Sequence, residues 1–328
     1  MGPAILMRNF IRFFGSTSFV FLLIVHPTGG GCQTFSPHKA GFSITVNDIE
    51  IPFKVMSVFA LPDKKLKIAV PKHYAAEQFH LYSPAGKIIP ATSHHWDWRV
   101  PSKPGHYSLK ISDRDHQRTM SLNVFVMVPF GQIKGEYLNG FRIGRYPQVA
   151  LKKLAIYKPP LGFVEVTPQN EDTLVSPHFK LKQFLCKQDS GYPKYIVLKE
   201  MLLLKLELIL EKVNEKGYRC DTFHIMSGYR TPYYNKAIGN VKYSRHIYGG
   251  AADIFIDENP QDNMMDDLNH DGKIDYRDAA IIYRIIDDLY GKKFYDPFLG
   301  GLARYKKTNN HGPFVHVDVR GRRARWGY

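Results

Sequence analysis

The chain has 328 residues, of which 44% are hydrophobic and 23% charged, and a formal net charge of +15. It is longer than one typical domain and too apolar to be disordered, so two or three folded units with a sizeable core are expected. The charge favours a polyanionic partner, but no nucleic-acid motif surrounds the one basic cluster (Arg320, Arg322, Arg323, Arg325), which argues against DNA or RNA.

Residues 1–32 read as a signal peptide. Arg8 and Arg12 precede an apolar run, Phe19 to Val25, and the turn-prone "HPTGGGC" follows. Such a run is too short for a bilayer, which needs about 20 residues, and has the length of a signal h-region. Cys32 directly after three glycines raises lipid anchoring, although Gly29 stands where a lipobox prefers leucine. The expectation is a periplasmic, cell-envelope or secreted protein, with Cys32 as the candidate membrane attachment. Cys186 and Cys220 remain in the folded part, and spacing alone does not decide between a disulfide and two buried thiols.

Between residues 41 and 130, "FSITV", "KLKIAV", "FHLYSPAG", "HYSLKIS" and "SLNVFVMV" alternate with a period near two, bounded by turn residues. This predicts an all-β sandwich resembling immunoglobulin-like modules, with no cluster of acids, bases or ligands. Residues 131–174 are rich in Gly, Pro and Tyr and read as a β-rich connector. From 175 to 328 the pattern becomes α+β. A long helix is predicted over "YPKYIVLKEMLLLKLELILEKVNEKG", stopping at Gly217. The short strands "TFHIMS", "AADIFI" and "FVHVDV" surround a helix after Pro232 and another from Tyr276.

The stretch "YSRHIYGGAADI" places His246 seven residues before Asp253, and "GPFVHVDVRG" adds His316 on a predicted strand. Imidazole and carboxylate are natural zinc ligands, and a catalytic zinc needs three protein ligands and one open position. Taken with "SGYRTPYYN" and "FVHVDVRGRRARW", the motif resembles the zinc D-Ala-D-Ala carboxypeptidase family, whose S-x-H-x-x-G-x-A-x-D pattern is met by Ser244, His246, Gly249, Ala251 and Asp253. The resemblance spans roughly residues 175–328 and implies a hedgehog-type fold with an antiparallel sheet. It also implies zinc bound by His246, Asp253 and His316, and a peptidoglycan peptide as substrate. Arg230 would hold a substrate carboxylate, and Ser244 would hydrogen-bond substrate beside the metal. Many members carry an acid three residues before the last histidine, but here that position is Pro313. Asp318 and His311 are the candidates for general base. Asp318 shares a strand face with His316 and serves a backing role equally well.

Inside the insertion at about 258–296 lies "DLNHDGKIDYRD". Asp267, Asn269, Asp271, the Lys273 carbonyl, Asp275 and Asp278 follow the EF-hand order, with Gly272 at the sixth position. The ending resembles dockerin-type loops, and no helix is predicted before it, so one calcium-binding half-hand with a structural role is expected. Two readings of the whole chain follow. One is an exported zinc peptidase, with zinc and structural calcium. The other is a non-catalytic wall- or protein-binding module that keeps the metal-site fold.

Overall fold

The alternating residues 39–126 form strands because each has one face to bury. The computed structural model describes residues 35–74, 78–92 and 94–327; the export signal and Cys32 lie outside them. The first nine strands are β1 (Lys39–Val46), β2 (Ile49–Phe53), β3 (Val55–Ala60), β4 (Lys65–Ala69), β5 (Phe79–Tyr82), β6 (Lys87–Thr92), β7 (His95–Arg99), β8 (Gly105–Asp113) and β9 (Thr119–Val126). They make two sheets, ordered β2-β1-β4-β7-β6 and β3-β9-β8-β5. Ile44, Ile68, Trp98, Leu109 and Leu122 are among the side chains fully buried here. The β3–β9 pair is parallel and the other pairs are antiparallel.

The connector is built into the core. β10 (Val128–Pro129) pairs with β13 (Gly162–Val166), and β13 pairs with β16 (Lys194–Ile196). Two small hairpins fill the intervals: β11 (Tyr137–Leu138) with β12 (Phe141–Arg142), and β14 (Leu174–Ser176) with β15 (Phe179–Lys180). The predicted long helix is therefore shorter at its start. Tyr195 and Ile196 are drawn into the sheet by β13, and α1 spans Glu200–Glu215. Tertiary pairing here overrides a helical pattern. Lys199 gives α1 no side-chain cap, and the Glu200 Oε1 instead accepts the Phe59 amide at 3.0 Å. Asn123 Nδ2 donates to the Leu174 carbonyl at 2.9 Å, so sandwich, connector and C-terminal part share one continuous core. Phe35–Tyr328 forms one compact unit.

The C-terminal sheet has β17 (His224–Ser227), β18 (Ala251–Phe255), β20 (Phe314–Asp318), β19 (Gly301–Tyr305) and β21 (Ala324–Gly327) in that spatial order. It departs from a purely antiparallel sheet at its edge, where β19 and β21 run parallel. After β20, which runs antiparallel to β19, the chain passes β19 and turns back, so its last strand runs in the direction of β19. Between the strands lie α2 (Pro232–Ala237) and α3 (Tyr276–Asp287). Every residue of β18 and β20 is buried. Cys186 and Cys220 are free, buried thiols. Among the described residues, no helix is long and apolar enough to cross a membrane.

Candidate metal centre

Register brings the candidate ligands together. Ser227 pairs with Asp253, Asp253 with His316, His316 with Ala303, and Ala303 with Trp326. Paired residues share a face, so one row crosses all five strands and places Asp253 beside His316. The small Ala303 between them lets the Trp326 ring approach His316 to 5.1 Å between centroids. His246 arrives from the 3-10 turn Arg245–Tyr248, which Gly249 closes at φ 65°. A Cβ at 249 would fall onto the Val197 carbonyl, so glycine is required both for the turn and for its close seating.

His246 Nε2 lies 3.3 Å from Asp253 Oδ1, His316 Nδ1 lies 2.8 Å from the same oxygen, and the two nitrogens are 3.3 Å apart. Donors about 2.0–2.1 Å from a tetrahedral zinc stand roughly 3.3–3.4 Å from one another, so these three atoms fit that ion. All three residues are buried. Among the described residues, no other group of His, Cys, Asp or Glu ligand atoms converges in this way.

Each ligand is backed by a second partner that turns one atom toward the centre. His246 Nδ1 donates to the Gly228 carbonyl at 2.7 Å, leaving the Nε2 lone pair for a metal. Arg230 Nη2 donates to Asp253 Oδ2 at 2.6 Å while its Nε donates to Ser227 Oγ at 2.8 Å. His316 Nε2 donates to Asp318 Oδ2 at 3.2 Å. Asp318 in turn accepts from Arg320 Nε at 2.9 Å and from the Gly301 and Arg320 amides at 2.8 and 3.0 Å. Gly301 is required because a side chain there would strike both the Asp318 carboxylate and Trp326. Lys205, fully buried on α1, donates to the carbonyls of Asp318 and Phe298 at 2.8 and 3.0 Å.

The charges follow from these contacts. Burial lowers the His246 pKa, which keeps it the neutral imidazole that a metal needs. Burial opposes the Asp253 anion, but the two histidines outweigh it and hold the carboxyl well below the usual carboxylate range. Burial also pulls His316 down, and its hydrogen bonds to Asp253 and Asp318 more than reverse this.

Two of the expected site residues have partners inside the centre. Asp318 accepts from the His316 ring, and although burial opposes its charge, His316 and Arg320 hold its carboxyl well below the usual carboxylate range. Arg230 is engaged by Asp253 and Ser227, which lets it orient a ligand. Ser244 is buried at the start of the 3-10 turn, and its hydroxyl does not cap it. His311 lies half-buried between β19 and β20, with its ring edge-on to Phe314 at 5.0 Å. Its Nδ1 donates to the Gly312 carbonyl at 2.8 Å, so Nε2 is the basic nitrogen. Phe314 and His316 are two apart on β20 and share its face.

Residues outside the motif complete the surroundings. Tyr305 stacks on Phe314 at 4.5 Å and accepts the Trp326 indole N–H at 2.6 Å. Burial raises its pKa, and the Asp253 charge adds to this. Lys187 feels both Arg230 and Asp253, with burial lowering its pKa first. The terminal "RRARW" carries the one available sequence signal for Trp326; Tyr305 and Lys187 carry none.

Among the described residues, the insertion loop gathers no His, Cys, Asp or Glu ligand group like that of His246, Asp253 and His316. Asp267 accepts the amides of Asp271 and Gly272, Asn269 accepts Asp271, and Asp271 accepts Lys273 while pairing with Arg277 at 2.6 Å. Asp275 caps α3, and the fully buried Asp278 accepts the amides of Leu268, Asn269 and Asp275. The comparisons lend the expected calcium set no support, and its oxygens here accept the loop's own amides.

Residues 177–280 match the family model of Peptidase M15. The match takes in Ser244, His246 and Asp253 and stops before His316. It supports a zinc-dependent peptidase, and the His-Asp-His group fits the ion that such peptidases use. No curated protein matches the chain. Among solved structures, a nucleoside hydrolase-related protein from Saccharophagus degradans is 14% identical over 25% of this chain and 25% of its own, with a TM-score of 0.20. An endo-fucoidan hydrolase of glycoside hydrolase family 107 is 10% identical over 26% of this chain and 14% of its own, with a TM-score of 0.18. The chain thus spans a quarter or less of those proteins, and such overlaps define no shared fold.

Proposed function

We propose that the protein is an exported zinc metallopeptidase that hydrolyses peptide bonds in peptidoglycan stem peptides or their crosslinks, in the manner of D-Ala-D-Ala carboxypeptidases. The convergence of His246, Asp253 and His316 within hydrogen-bond distance of one another carries the reading. Zinc held there supplies Lewis-acid polarisation of the scissile carbonyl and lowers the pKa of an attacking water. The chain's own groups set up the rest. Gly228, Arg230 and Asp318 fix the tautomer or the oxygen that each ligand presents. Trp326 packs beside His316 and donates its indole N–H to Tyr305.

Proton transfer is assigned to His311, whose Nε2 is left as a base by the Gly312 contact. Ser244 is kept as the hydrogen-bonding group beside the metal, at the start of the turn that carries His246. Export rests on the signal-like residues 1–32, and a wall substrate suits the net charge of +15. The test is digestion of purified muropeptides by the zinc-loaded protein and by His246→Ala, read by mass spectrometry. Cleavage by the wild type alone is expected. A zinc-replete wild type that leaves every muropeptide intact would point to a binding module instead.

A further inference from the structure

The connector, outside the family-matched segment, builds one wall of a groove of about 720 Å³. Residues 136–149 supply Glu136, Arg142 and Arg145, and the matched segment supplies Tyr233, Lys236 and Lys242. The wall is fastened to the metal-site scaffold. Tyr233 N donates to the Ile143 carbonyl at 3.1 Å, and Gln188 Nε2 to the Arg142 carbonyl at 3.1 Å. The Tyr146 hydroxyl donates to the carbonyl of Ile247, the neighbour of His246, at 2.9 Å. Gly144, at φ +81°, lies so close to α2 that a Cβ would sit 2.6 Å from the Tyr233 nitrogen. Tyr243 and Ile247 line the groove, so the turn that delivers His246 to the metal centre also forms part of this wall.

The lining is electrostatically one-sided. Four cations face one carboxylate, Glu136, which already bridges Arg142 at 2.9 Å and Arg145 at 3.2 Å. Lys236 and Lys242 are exposed; the Arg142 hydrogen bond does most to hold Glu136 below its usual pKa, and the Lys236 charge adds to it. Arg142 lies 4.0 Å over the Tyr233 ring, which holds the guanidinium in place and offers an aromatic edge to a ligand. Asn235 is 2% exposed and lines the groove; its Nδ2 donates to the Val241 carbonyl at 3.0 Å, and its Oδ1 has no partner. Cations, aromatic faces and an unanswered amide oxygen together suit a peptide with several free carboxylates and its own N–H donors.

The geometry points to this groove as the binding site for an acidic peptide arm, with Lys236 and Lys242 as its charge-recognising residues. The inference deepens the peptidase reading: the arm would belong to the same substrate whose bond is cut, and the wall added by residues 136–149 would set which peptides are held. The experiment uses the full zinc-loaded chain and a fluorescein-labelled alternating Ala-Glu decapeptide, followed by anisotropy at low and moderate salt. The length-matched Ala-Gln peptide is the neutral control, and His246→Ala is run in parallel so that binding is read without turnover.

The acidic peptide is expected to bind at least about tenfold more tightly than the neutral one, and Lys236→Glu with Lys242→Glu is expected to remove that preference. Lys103→Glu with Lys110→Glu, the same charge change on the sandwich, is expected to leave it intact. Equal binding of the two peptides overturns the inference, as does an equal loss in both charge-reversal variants, which would show only the attraction of the whole +15 chain. The peptidase reading is judged separately. If muropeptides are cut, the groove variant should raise KM about fivefold or more with kcat nearly unchanged; if none is cut, the anisotropy result still decides the groove.

Discussion

The metal centre and the insertion loop both have sequences with ligand spacing, and among the described residues a converging His, Cys, Asp or Glu group is found at the first. At the centre, His246 and Asp253 draw partners 18 and 23 residues away, Gly228 and Arg230, while His316 draws Asp318 from its own strand. Those partners occupy one atom of each side chain and leave the other directed inward. In the loop the carboxylates meet their needs locally, on the amides of residues 268, 269, 271–273, 275 and 277 and on Arg277. A buried ligand set needs long-range support; a short acidic loop can be satisfied by its own backbone.

The comparison breaks most sharply at a ligand. His246→Ala should lose stoichiometric zinc, measured by elemental analysis, and at least about a thousandfold in turnover, since the ion supplies several kcal/mol. Full activity in that variant sinks the site assignment. His311→Gln should retain zinc and lower kcat by roughly a hundredfold, the usual contribution of a general base; an unchanged kcat would move the proton carrier elsewhere. Asp318→Asn should weaken zinc by about 10- to 100-fold in a chelator competition, because it loosens His316 without removing a ligand.

On the loop side, Asp278→Ala should cost about 2 kcal/mol in denaturant unfolding with calcium absent, since three amides lose one buried acceptor. A calcium-dependent rise in Tm of the wild type, with zinc kept in place, would show the loop regrouping its oxygens and would dissolve the contrast. A further effect concerns Lys205, whose pKa burial lowers to about 7. Between that value and the unfolded one of about 10.4, the unfolded chain binds more protons, so this group makes stability rise with pH. Lys205→Met should flatten that rise, as read by unfolding at pH 7 and 9.5.

Much of the centre was legible before any coordinates. The spacing of His246 and Asp253, the strand pattern around His316 and the matching motif positions named three ligands that do converge. The end of α1 near Gly217 was equally plain, because a glycine at φ +85° stops a helix locally. The start of α1 was not, because β13 lies some 30 residues upstream and its claim on Tyr195 leaves no local trace.

Sequence by itself therefore determined the strands of the sandwich, the ligand types and the turn at Gly249, all of which depend on short-range periodicity or on one residue's allowed backbone. Only the tertiary structure decided that Arg230 and Asp318 stand behind ligands, that the insertion loop answers to its own amides, and that the connector walls a groove beside His246. Those outcomes turn on which partner reaches a charged group first once the chain is packed, and a hydrogen bond across a hundred residues has no period to read.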